Sequence, residues 1–295
     1  MHYSDIIKLQ KVPGVGRKSI LKLVQELTGL ELSSLCFEDY ICLLNEKMDI
    51  KFSGADFEKI QIETEKILEN CYNEKVGIMT CFDSDYPDNF KSLGNDMPVL
   101  LYYKGNRSLL GDSSSIAIIG TRKPSNVGLN KAVSYSSLIA GKGYVTVSGL
   151  AEGCDTAAHI GAMKVKGRTV AVMPSGIGYV YPPSNKQLYH GIISNNGCVV
   201  TEYEPNALPQ IYTFVERDRL QAALSKGLLI IESPLAGGTH HTYNYGLKLG
   251  KKIAVSNHVS SDENRMSLNK SILGNGKGFA IQSESDMELW LDLLK

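Results

Sequence analysis

The spacing of apolar positions divides the chain in two. Up to about residue 75 they recur every three or four residues, as in Ser19–Leu27, Phe37–Asn45 and Asp56–Leu68, with Lys, Glu and Gln on the other faces. That period predicts helices, each with one buried stripe. A polar run, Glu69–Lys75, then closes a helical N-terminal domain assigned to residues 1–75. Residues 76–112 form a connector in which two strand-like runs, Gly77–Cys81 and Val99–Tyr103, flank a Pro- and Asp-rich stretch. In the third part, residues 113–295, short apolar runs alternate with helical stretches. The runs are Ser115–Ile119, Tyr144–Ser148, Thr169–Met173, Cys198–Glu202, Leu228–Glu232 and Ile253–Ser256. Between them lie helical patterns at Gly128–Ala140, Asp155–Lys164, Ser184–Ile193, Phe214–Leu224 and Thr242–Leu249. Each run is apolar nearly throughout, as strands covered on both faces are. The order predicts an α/β fold with a doubly wound, mostly parallel sheet of at least six strands. Residues 283–295 read as a short amphipathic helix packed on that core.

Composition narrows the classes. The 295 residues carry 31 Lys plus Arg and 31 Asp plus Glu, so the formal net charge is zero. With 43% hydrophobic residues the chain is globular rather than disordered. A neutral total excludes a protein that holds polyanions by bulk charge, so any nucleic-acid site must be a local patch. No apolar run reaches the length of about 18 residues that a membrane helix needs. The N-terminus lacks the apolar stretch of a signal peptide. Six scattered cysteines form no CxxC pair, which predicts reduced thiols and no metal site. These features together predict a cytoplasmic protein.

Five segments carry candidate chemistry. Between two helical stretches, Pro13-Gly14-Val15-Gly16-Arg17-Lys18 has the pattern of a helix-hairpin-helix turn. Gly14 and Gly16 permit a tight turn whose N–H groups can face a DNA phosphate, and Arg17 and Lys18 add charge; the plainer reading is a surface turn. The run Ile116–Ile119 ends in Gly120-Thr121-Arg122-Lys123-Pro124-Ser125, at the strand end where open α/β sheets bind ligands. Gly120 would admit a phosphate, Thr121 and Ser125 offer hydroxyls, and Arg122 and Lys123 offer cations. The next turn runs from Ser148 and Gly149 to Asp155 and His159. Asp155 reads as a helix cap and His159 as a buried contact, with acid–base chemistry as the sharper alternative. In Thr213–Leu220, Phe214 suits base stacking and Arg217 and Arg219 suit phosphates, although residues two apart diverge on a helix. Finally, Gly237, Gly238, Thr239 and Thr242 read as an anion loop opening a helix. The adjacent His240 and His241 diverge too far to share a metal.

Taken together, these motifs resemble the DNA processing protein A (Smf) family. The resemblance covers nearly the whole chain. It runs from the helical start through Tyr86-Pro87, Met97–Tyr102 and Lys104-Gly105 to Ile119–Arg122, Ser148–Asp155 and Ala158-His159. It ends with Gly178, Tyr181-Pro182, Asn185 and Thr201-Glu202-Tyr203. The resemblance implies a Rossmann-like core behind a helix-hairpin-helix or SAM-like domain. It also implies single-stranded DNA binding and protection, loading of a RecA-type recombinase during recombination or transformation, a homodimer, no cofactor and no catalytic turnover. Gly120 and Arg122 then belong to the DNA pocket, the family's Phe-x-x-Arg-Asn-Arg helix falls on Phe214, Arg217 and Arg219, and its Ser-Gly-Ser-x-x-Thr loop falls on Gly237, Gly238, Thr239 and Thr242.

The departures cluster on that pocket. Asp218 replaces the family's Asn, Gln210-Ile211-Tyr212 stands where a basic position is common, and two histidines interrupt the glycine loop. Binding weaker and more salt-sensitive than that of a basic relative is therefore expected. The competing reading is a nucleotide-binding sensor of the same superfamily, including one acting in phage defence.

Overall fold

The predicted alternation of helix and strand recurs in the computed structural model, which describes residues 1–26, 35–48, 52, 56–260 and 262–295. Four helices come first: α1 (Tyr3–Lys11), α2 (Arg17–Glu26), α3 (Phe37–Met48) and α4 (Phe57–Asn73). The last residue of the predicted Ser19–Leu27 segment lies outside the described residues. The polar run Glu69–Lys75 forms the end of α4 and the turn after it. Strands β1 (Gly77–Thr80) and β2 (Leu100–Gly105) follow, then the alternating part begins. It runs β3 (Ser115–Ile119), α5 (Asn126–Gly141), β4 (Val145–Ser148), α6 (Cys154–Lys164), β5 (Thr169–Val172), α7 (Lys186–Ser194) and β6 (Cys198–Thr201). It continues with α8 (Ile211–Leu224), β7 (Gly227–Ile230), α9 (Thr239–Lys248) and β8 (Lys252–Ser256). Helix α10 (Ser267–Gly274), β9 (Phe279–Ile281) and α11 (Glu284–Asp292) end the chain.

The nine strands among the described residues join one sheet in the order β1-β2-β6-β5-β4-β3-β7-β8-β9. Strands β3 to β9 pair in parallel, whereas β1 and β2 add an antiparallel ribbon against β6. From β3 the chain builds outward through β4, β5 and β6, then crosses back so that β7 lies on the other side of β3. The sheet therefore changes winding direction between β3 and β7, which is where such folds open a crevice at their carboxyl ends.

The alternation along β3 explains the layers. Ile116 and Ile118 pack with Tyr135 and Ile139 of α5 and Trp290 of α11. Ala117 and Ile119 face the other way, toward Leu220 and Ala223 of α8. Successive strand side chains must point to opposite faces, so an apolar run this dense needs helices on both. Helix α11 buries Met287, Trp290 and Leu291 and leaves Leu289 outside; just after it, Leu294 is buried and Leu293 exposed. The N-terminal helices share an apolar cluster with Leu100 and Tyr102 of β2, Val199 of β6 and Ile192 of α7.

Charge fixes α8 from behind. Arg219 has no exposed surface. It donates to Glu202 Oε1 at 2.6 Å, to the Asp96 carbonyl at 2.9 Å and to the Glu216 carbonyl at 2.6 Å. Arg17, from the turn between α1 and α2, reaches the Glu216 carboxylate at 2.5 Å and Asp96 at 3.5 Å. Lys18 also meets Asp96 at 3.5 Å. Removing one partner of a buried pair leaves the other charge without compensation. Arg219→Ala should therefore cost about 3–5 kcal/mol in urea unfolding. Arg17→Ala breaks a partly exposed pair and should cost at most about 1 kcal/mol.

Candidate nucleic-acid interface

The crevice between β3 and β7 is a cleft of about 510 Å³. Its walls are the loop after β3 (Gly120–Lys123), the loop after β7 with the start of α9 (Ser233–Thr242), and one face of α8. The β3 loop is stitched in place, since Thr121 N–H donates to the Glu232 carbonyl at 2.7 Å and its own carbonyl accepts from Cys154 N–H at 3.2 Å. Gly120 is required by this packing, because a Cβ there would lie 2.5 Å from Cys154 Sγ. Beyond the stitch, Arg122 and Lys123 are exposed. The Arg122 guanidinium sits 5.0 Å from the centroid of the Phe214 ring, and Tyr181 meets the same ring edge-on at 5.5 Å. Such a cation–π contact contributes about 0.5–1 kcal/mol at an exposed site, weak enough to be exchanged for a ligand.

The floor is polar and closed. Arg217, 5% exposed, donates to the carbonyls of Gly149 at 2.6 Å and Val172 at 2.7 Å. It lies 3.2 Å from Asp218. With its amide oxygen turned toward the donors, Gln221 accepts from Gly149 N–H and from Arg217. Asp155 is not the helix cap; Gly153 holds that place, and the Asp155 carboxylate accepts from Gly149 N–H at 3.0 Å and Ala151 N–H at 3.4 Å. His159 is fully buried, bonded to Thr169 Oγ1 at 2.7 Å, and pushed by burial down to about 3, which keeps the ring neutral. Burial drives the Asp218 carboxyl up to about 7, against the pull of Arg217 beside it. Asp155 adds to the rise, and a hydrogen bond from Thr242 opposes it.

The two helix N-termini at the cleft differ in what they hold. At α5, Ser125 caps the helix by accepting from Gly128 N–H at 2.9 Å. Its own hydroxyl and N–H donate to the Glu232 carboxylate at 2.5 and 2.8 Å, and His258 Nε2 meets the same carboxylate at 2.8 Å. Burial alone would raise the Glu232 carboxyl, but the Ser125 and His258 hydrogen bonds hold it below its ordinary value. The helix end that would take a phosphate in this fold thus already carries an internal anion. At α9 the end is open. No atom beyond its chain neighbours lies within 4 Å of where a Gly238 Cβ would be; Thr239 heads the helix and lines the cleft with Gly237 and Gly238, while His240 and His241 N–H donate back to the Gly237 and Gly238 carbonyls.

Several predicted contacts therefore change role. Gly120, Thr121, Arg122, Lys123, Phe214, Gly237, Gly238, Thr239 and Thr242 do meet around one cleft. Arg217 lines it too, but as a buried brace. Ser125 is engaged by Glu232, and Ser148 is buried with its hydroxyl donated to the Ile118 carbonyl at 2.7 Å. Gly149 serves Arg217, since a Cβ would fall 1.8 Å from its Nη1. Arg219 points out of the back of α8, and Arg17 and Lys18 of the Gly14–Gly16 turn meet protein carboxylates there. Sequence reasoning missed Glu232, His258 and Tyr181; a lone carboxylate closing a buried parallel strand was the available signal for Glu232. Among the described residues no group of three His, Cys, Asp or Glu is placed to hold a metal.

Comparison with known proteins places this geometry. A family model described as DNA recombination-mediator protein A matches residues 77–287. Protein Smf of Synechocystis is 32% identical over 191 residues, covering 64% of this chain and 48% of that protein. DNA processing protein DprA of Streptococcus pneumoniae is 35% identical over 182 residues, 61% of this chain and 62% of its own. The chain spans about half to two thirds of the curated relatives it matches. The X-ray structure of the S. pneumoniae protein superposes with a TM-score of 0.78 at 26% identity, covering 98% of both chains. A Helicobacter pylori DNA processing protein A, described for its single-stranded DNA binding mode, gives 0.64 at 26% identity, over 74% of this chain and 95% of that one.

Two glycines separate packing from ligand approach. Gly149→Ala should cost at least about 1–3 kcal/mol, because the floor must open around Arg217. Gly238→Ala meets open space and should leave the melting temperature unchanged. Thermal unfolding of both variants beside the parent protein checks this.

Proposed function

The chain belongs to the DNA recombination-mediator protein A family, and from that premise we propose that it binds single-stranded DNA in the β3–β7 cleft as a non-enzymatic recombination mediator. One observation carries the reading: an exposed arginine stacked on an aromatic ring beside an open helix N-terminus, all at the mouth of one cleft. Single strands are held by that combination, because every base offers a π-face and every linkage a phosphate. Arg122 and Lys123 meet phosphate from one side and the Gly238–Thr239 N–H groups from the other. A base displaces the Arg122 guanidinium and stacks on Phe214, whose edge contact with Tyr181 fixes the ring plane.

Binding without turnover fits the buried groups. Asp155 and His159, the pair that suggested acid–base chemistry, are held inside by backbone amides and by Thr169. The internal Glu232 carboxylate weighs against a mononucleotide sensor, which would need the α5 terminus for its phosphate. The reading places the protein in the cytoplasm with a RecA-type recombinase as partner and a homodimer as its assembly. No described helix is long and apolar enough to cross a membrane.

The salt dependence follows from how many cations are free. Of the four cations expected at the pocket, only Arg122 and Lys123 are free to meet phosphates. At about 0.7 per contact on single strands, the log–log salt slope should be about −1.4 rather than about −2.8. Fluorescence titration with a labelled single-stranded oligonucleotide, its duplex and a mononucleotide tests the reading. The single strand should bind tightest, and Arg122→Ala should weaken it by roughly tenfold or more, as loss of about 1–3 kcal/mol of charge and stacking implies. Absence of oligonucleotide binding at low salt, or equal binding of the mononucleotide, contradicts it.

A further inference from the structure

The cleft floor carries more acid than a polyanion site should. Two carboxyls line it: Asp218 from α8, 3.2 Å from Arg217, and Asp155 from α6, which feels the same guanidinium only through its charge. Arg217 Nη1 donates to the Gly149 and Val172 carbonyls, and the single positive charge of this guanidinium stands against both carboxyls. Asp218 reaches the cleft surface, whereas Asp155 is tied to the Gly149 and Ala151 amides beneath it. Around Asp218 the other facing groups are Thr242 and His241 from α9 and Arg122 and Lys123 from the β3 loop. An ionised Asp218 would stand against any phosphodiester drawn in by the open α9 terminus.

We infer that Asp218 is the residue that sets the charge condition for binding: a phosphodiester strand enters the cleft together with one solvent proton, which is taken up on the Asp218 carboxyl. The inference rests on the cleft being the single-strand site. It concerns this chain in particular, since the resemblance noted above places an Asn at this position. Uptake leaves the Thr242 hydrogen bond in place and returns Arg217 to balance with Asp155 alone. The carboxyl sits near about 7, so the proton is available at neutral pH and scarce above it.

The sign follows from linkage. A group that binds a proton more tightly in the complex than in the free protein makes affinity fall as pH rises through its free value. Single-strand affinity of the parent protein should drop about tenfold between pH 6 and pH 8, with about half a proton linked on average across that range and nearly one at its upper end. Asp218→Asn should remove that slope and bind at pH 8 about as the parent does at pH 6. His241 lines the same cleft, so His241→Gln is the necessary companion and should keep the slope. Calorimetric titration of the unaltered protein in two buffers of different ionisation enthalpy should report net proton uptake at pH 7. A slope that survives Asp218→Asn and vanishes in His241→Gln, or no proton uptake in the parent protein, overturns the inference while leaving the DNA site standing. No binding of the single strand by either protein at any pH overturns the DNA site itself, and this inference with it.

Discussion

Helix α8 is held between two buried guanidiniums that point in opposite directions, and the site exists because of that bracing. Arg217 reaches forward across the ends of β4 and β5 to the Gly149 and Val172 carbonyls. Arg219, two residues on, reaches backward to Glu202 and the Asp96 carbonyl. A helical step of two residues turns side chains to nearly opposite faces, so a single Arg-x-Arg can brace both sides. Neither arginine is then available to a ligand. What they do is fix Phe214, one turn before Arg217, at the lip of the cleft, where Arg122 covers it.

The same economy of placement governs the anion-binding ends of the helices. Helices α5 and α9 both follow loops that line the cleft, and each carries the positive end of its dipole at that start. One is neutralised from within by Glu232, which Ser125 and His258 hold in its ionised form. The other, α9, begins after Gly238 with space around it. A doubly wound fold offers several phosphate seats, and an internal carboxylate at one of them decides which seat remains for a ligand. That choice separates an extended strand lying across the mouth from a mononucleotide buried at the α5 terminus.

Much of the fold was legible because its signals are local. The apolar runs at Ser115–Ile119 and Thr169–Val172 announce strands covered on both faces, and the glycine turns after them place a ligand edge. The stretch between β8 and α11 was not legible: β9 is three residues long, and α10 follows a loop with no strong apolar period. At the site, residue type located the cleft but not each residue's partner. Ser125 looks like a free hydroxyl until Glu232, 107 positions away, is brought to it. Arg219 looks like a phosphate ligand until Glu202 arrives across the sheet. Arg17 and Lys18 at the helical hairpin looked like DNA contacts until Glu216 and Asp96 closed on them. Long-range pairing of charges is the information that composition and spacing do not carry.

On the proposed reading, ligand phosphate is received at the β3 loop and the start of α9, with the α5 terminus closed by Glu232 and the N-terminal turn closed by its own ion pairs. Backbone amide chemical shifts followed during titration with a short single-stranded oligonucleotide test this most directly. Shifts concentrated at residues 120–123 and 237–242, with residues 14–18 and 125–129 unmoved, are the predicted result. Leading shifts at residues 14–18 or at the start of α5 would contradict it.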